Sequence, residues 1–99
     1  MMVTCRSVYG HLKIGIEAVG APDRFNVYIE DARVNKRAKQ SAEIDGSARD
    51  ALAAAIEMAK KYLESRGEPS DYEASWECID IGTMKPVPAP KATSNNKLP

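Results

Sequence analysis

Apolar and polar positions alternate along residues 11–19, HLKIGIEAV: Leu12, Ile14, Ile16 and Ala18 stand against Lys13, Gly15 and Glu17. A period of two turns one face of a strand to a core and the other to water. Gly20 and Pro22 then punctuate a turn, and FNVYIEDARV repeats the alternation with Phe25, Val27 and Ile29 facing one way. The two segments predict an antiparallel hairpin. A third strand is expected in AKQSAEIDG, where Ala42 and Ile44 alternate with Ser41, Glu43 and Asp45 before Gly46 ends it.

The period changes after Gly46. Ser47 followed by Asp50 forms a capping-box pattern, with a carboxylate near the positive end of a helix that should begin at Ala48. Leu52, Ala55, Ile56, Ala59 and Leu63 recur at three and four residues as one apolar stripe, while Arg49, Glu57, Lys60, Lys61 and Glu64 fall away from it. Gly67, with Pro69 beyond, predicts the stop and a helix of about five turns. YEASWECIDI is expected as a last strand carrying Tyr72, Ala74, Trp76 and Cys78 on its apolar side, with Trp76 under the helix.

The expected fold is therefore α+β, a two-layer sandwich in which a mainly antiparallel four-stranded sheet carries one amphipathic helix (β-β-β-α-β). The last strand can dock beside the first or beside the third. Residues 1–82 form the single domain. The remainder, 83–99, carries four prolines and few large apolar side chains, as a disordered tail does.

At 99 residues the chain holds one domain, so its long apolar side chains are needed first for the core. No apolar run approaches the roughly 20 residues that span a bilayer, and no basic segment followed by an apolar one opens the chain. This predicts a cytoplasmic protein without membrane contact. In that reducing setting Cys5 and Cys78 are expected as free thiols.

Formal charge is zero overall but unevenly spread: −1 over residues 1–32, +4 over 33–39, −6 over 40–82 and +3 over 83–99. The basic stretch holds Arg33, Lys36, Arg37 and Lys39, four candidates for a phosphate or a partner's carboxylates. At most about four phosphates could be neutralised, which predicts weak, salt-sensitive nucleic-acid binding. The sheet face away from the helix should show Lys13, Glu17, Asn26, Tyr28, Glu30, Glu73 and Glu77. One tyrosine among glutamates is a poor platform for nucleic-acid bases, so Lys13, Tyr28 and Glu30 are read as candidate contacts for a protein partner.

Catalytic and cofactor signatures are missing. A single histidine, His11, removes most imidazole-based acid–base and triad arrangements. No C-x-x-C or H-x-x-x-H spacing presents two metal ligands on one element. The six glycines are isolated, without a phosphate loop. The expectation is thus no catalytic residue, no metal and no cofactor. The chain reads as a non-enzymatic interaction module for a protein partner, with oligomeric state undetermined. The alternative is a weak nucleic-acid-binding accessory domain using residues 33–39, and the third reading is a small hydrolase drawing carboxylates from Glu68, Asp71, Glu73 and Glu77.

Overall fold

The computed structural model describes residues 2–33 and 38–90. Among these the chain runs through β1 (Val3–Tyr9), β2 (Leu12–Ala18), β3 (Arg24–Asp31), β4 (Ala38–Asp45), α1 (Ala48–Ser65), β5 (Glu77–Asp80) and β6 (Pro86–Val87). The strands form one antiparallel sheet in the order β4-β3-β2-β1-β5-β6. The α+β class holds. The expected four-stranded β-β-β-α-β sheet is corrected to six strands.

Two strands enlarge it. In β1, Cys5 and Tyr9 are buried toward the helix, but Ser7 shares their face and Val8 points outward, 60% exposed. A polar residue inside and an apolar one outside erase the alternation that would have marked this strand. At the other end Pro86–Val87 pairs with Cys78 and Ile79, so residues 83–90 of the expected tail include a short strand. Residues 91–99 of that tail lie outside the described residues.

Tight turns set the registers. Gly10 and His11 alone link β1 to β2, with Tyr9 opposite Leu12, and Gly10 takes φ 62° at the first turn position. That backbone matches the twist of a two-residue hairpin and excludes most side chains. Space excludes them too, because a Cβ there would lie 2.8 Å from the Tyr72 ring.

The helix follows its local signals. Ser47 accepts from the Asp50 N–H, and Asp50 accepts in turn from the Ser47 N–H. These bonds hold the Asp50 carboxyl below the usual carboxylate range. At the far end Gly67 (φ 69°) donates to the Glu64 carbonyl and Glu68 to that of Leu63, the paired bonds of a Schellman motif. Ala51, Leu52, Ala55, Ala59 and Leu63 are buried against the sheet, and the three alanines let the helix axis approach closely. Ile56 is only half-buried, at the rim of the cluster of Tyr9, Leu12, Ile14, Ile29, Ala59 and Leu63.

The connection from α1 departs furthest from expectation. Only Glu77–Asp80 of the predicted last strand is regular, and residues 68–76 run without secondary structure. Tyr9 anchors them: its buried hydroxyl donates to the Ser70 carbonyl at 2.6 Å and accepts from the Tyr72 N–H at 3.2 Å. β5 then docks on the side of the first predicted strand, with the unpredicted β1 interposed. Cys5 thereby lies directly opposite Cys78, and the pair is bonded as a disulfide, with Cα atoms 4.0 Å apart. This corrects the expectation of free thiols and removes its link to a reducing compartment. Among the described residues no helix is long and apolar enough to cross a membrane.

Candidate functional site

Register decides what the face opposite α1 displays. One row across the sheet reads Val8, Lys13, Glu30, Lys39; the next reads Glu77, Arg6, Gly15, Tyr28, Ser41. Directly opposed side chains on one face lie about 5 Å apart, so the first row alternates in charge from β2 to β4. In the second, the glycine leaves a gap that Tyr28 fills. Its ring lies across Gly15 so closely that a Cβ there would overlap the phenol. Burial, and then the nearby Glu17, raise the Tyr28 pKa above the ordinary tyrosine value. The Lys39 ammonium stands 5.9 Å from the ring centroid on the β4 side.

The irregular connection walls this face. The Ser7 hydroxyl donates to the Ser75 carbonyl at 2.7 Å, tying residues 73–77 against β1. The result is a groove of about 700 Å³ lined by Arg6, Ser7, Val8, Lys13, Ile14, Tyr28, Glu30, Glu73, Ser75, Trp76 and Glu77. Lys13, Tyr28 and Glu30, the candidate open-face contacts, all line it. Trp76, expected beneath the helix, is half-buried: it packs on both core clusters while also lining the groove. Arg6 and Glu77 form an exposed pair at 3.8 Å.

Of the basic stretch, the described Arg33 and Lys39 make different contacts. Arg33 gives Nη2 to both Glu68 oxygens, at 2.9 and 3.0 Å, and Nε to Asp31 at 3.4 Å. Lys39 stands over Tyr28. Lys36 and Arg37 lie outside the described residues.

Arg33 instead belongs to a charge cluster that crosses four parts of the chain. Asp31, on the inner face at the end of β3, is the buried charged residue of the core. It accepts from the Tyr62 hydroxyl at 2.8 Å and the Arg33 N–H at 3.0 Å. Burial alone would raise its pKa, but these donors, the Arg33 guanidinium and His11 hold it at about 2. The hairpin turn sets His11 beside it, with Nε2 3.4 Å from Asp31 Oδ2 and 3.5 Å from Glu68 Oε1. Glu68, delivered by the helix cap, also receives Arg66 Nε at 3.3 Å. Burial opposes ionisation of Glu68, yet its two arginines lower its pKa. Burial and the bond to Asp31 raise that of Tyr62.

The cluster stitches together a hairpin turn, a strand end, the last turn of the helix and the segment that caps it, and each of its two carboxylates accepts three hydrogen bonds. Among the described residues no group of three or more His, Cys, Asp or Glu is placed to hold a metal ion. Nothing in the sequence marks Asp31, since Tyr62, whose hydroxyl donates to it, lies 31 residues away. No protein-family model, curated protein or solved structure matches the chain.

Proposed function

We propose that the chain is a non-enzymatic interaction module whose open sheet face takes a short segment of a protein partner. The observation that carries this reading is the groove between Tyr28 and Trp76, an aromatic-sided depression on a face the helix leaves uncovered. Tyr28 is held in place by its contact with Gly15, so little side-chain freedom is lost on binding. Trp76 and Val8 offer apolar contact, and aromatic anchors of this kind dominate protein interfaces. Around them Glu30, Glu73 and Glu77 outnumber Arg6 and Lys13. That balance favours a segment with an apolar anchor flanked by a basic residue, and it disfavours phosphate.

The test is selection of displayed random peptides against the purified chain, followed by titration. Bound peptides should shift the emission of Trp76, the sole tryptophan. They should also perturb amide resonances at Lys13–Gly15, Tyr28–Glu30 and Ser75–Glu77, and bind at least about tenfold more weakly to Tyr28→Ala, a loss of about 1.4 kcal/mol. Peptides that leave these positions untouched, or oligonucleotides that occupy the groove at physiological salt, would refute the reading.

A further inference from the structure

The two ends of the sheet are finished differently. β6 is two residues long and contains Pro86, which has no N–H to offer a further strand. β4 is eight residues long, stands outermost in the sheet, and has no strand beyond it among the described residues. Its helix side is also clear, because α1 lies over β3 and β2 and Ala42 remains exposed.

The backbone groups of β4 can be assigned. Gly46 donates its N–H to the Asp23 carbonyl at 2.8 Å, continuing the register in which Arg24 faces Asp45. Alternation along an antiparallel ladder then turns the even-numbered residues of β4 toward β3. Lys39, Ser41, Glu43 and Asp45 present their N–H and C=O groups to the free edge. Their side chains share the open face, in an order that runs from basic to acidic.

We propose that β4 is the interface of a two-fold symmetric dimer, in which β4 of a second copy pairs antiparallel about Ser41. Antiparallel reversal places Lys39 of each copy opposite Glu43 of the other, with the two Ser41 residues as the central hydrogen-bonded pair. Every charged pair nearest the axis is then of opposite sign, and both copies use the same surface, as a two-fold interface requires. Isolated charges on an edge strand commonly oppose pairing by repulsion. Here reversal of the strand converts them into attraction. Glu43 already lies 3.2 Å from Arg24, but both side chains are more than half exposed, so that bond leaves it available to a second partner.

Sedimentation equilibrium of the full chain from about 5 μM to about 500 μM should show a reversible dimer with a dissociation constant in the micromolar range, as suits a small interface. Ser41→Pro is the decisive variant. It deletes an N–H directed at the second copy and none directed at β3, so it should remain monomeric at about 500 μM while its amide spectrum keeps the β3–β4 signals. Should that variant unfold, charge reversal provides an independent readout. Lys39→Glu alone and Glu43→Lys alone each juxtapose like charges twice and should weaken association at least about tenfold. Their equimolar mixture restores opposite pairs and should form a heterodimer. A monomeric wild-type chain at every concentration, a dimer indifferent to Ser41→Pro, or a mixture no more associated than its components would overturn the proposal.

Discussion

Replacing Asp31 by asparagine keeps the shape of the side chain and removes its charge. In the folded protein the carboxyl titrates at about 2, against an ordinary value of 3.8. Each unit of difference is worth about 1.4 kcal/mol, so the ionised carboxylate contributes about 2 kcal/mol above the unfolded value. Because the folded pKa is the lower one, this contribution is complete above about pH 5. It disappears as pH falls through 3.8 toward 2. The substituted amide would also turn an N–H toward either the Tyr62 hydroxyl or the Arg33 N–H, both of which donate to the native oxygens. Urea denaturation at a series of pH values is the assay. At pH 7 the Asp31→Asn protein should be less stable by about 2 kcal/mol, a midpoint lower by roughly 1–2 M urea for a domain of this size. Near pH 2 the gap should close to about 0.5 kcal/mol, since the folded carboxyl is then about half protonated and the unfolded one almost wholly so. Acid losses at Asp50 and Glu68, whose carboxyls are also depressed, occur in both proteins and largely cancel in the difference. A gap that stays constant from pH 7 to pH 2, or no gap at pH 7, would refute the assignment of Asp31 as a buried, ionised acceptor.

Leu63, fully buried between helix and sheet, should cost about 2–5 kcal/mol when shortened to alanine, whereas half-buried Ile56 should cost visibly less; parallel thermal melts check the ranking. The Cys5–Cys78 bond closes a loop of 73 residues, so its reduction, or joint replacement of both cysteines by alanine, should lower stability by up to about 4 kcal/mol, readable as a reductant-dependent melt. Gly15→Ala should leave the fold intact but push the Tyr28 phenol off β2, seen as loss of ring-current shifts at residue 15's neighbours and as weaker peptide binding in the groove.

What could be read from residues alone was local. Ser47, Asp50 and Gly67 specify the helix ends through hydrogen bonds that close within three to five residues, and the alternation in β2 and β3 survives because one face meets the core and the other water. Lys13, Tyr28 and Glu30 could be assigned to one face for the same reason of parity. Tertiary structure decided the rest. β1 became recognisable only once β2 and β5 flanked it, since Ser7 inside and Val8 outside contradict a simple period. The position of β5 is set by a helix crossing the sheet and by the Tyr9 hydroxyl gripping residues 70 and 72, a contact spanning more than 60 positions. From that single docking follow the pairing of Cys5 with Cys78, the placement of Trp76 between core and groove, and the wall that makes the groove concave. Arg33 likewise reads as a phosphate hand within its own basic neighbourhood. It becomes a structural cation only when the helix cap delivers Glu68, because a charge is drawn to the partner that lies nearest in space, and sequence distance says nothing about that.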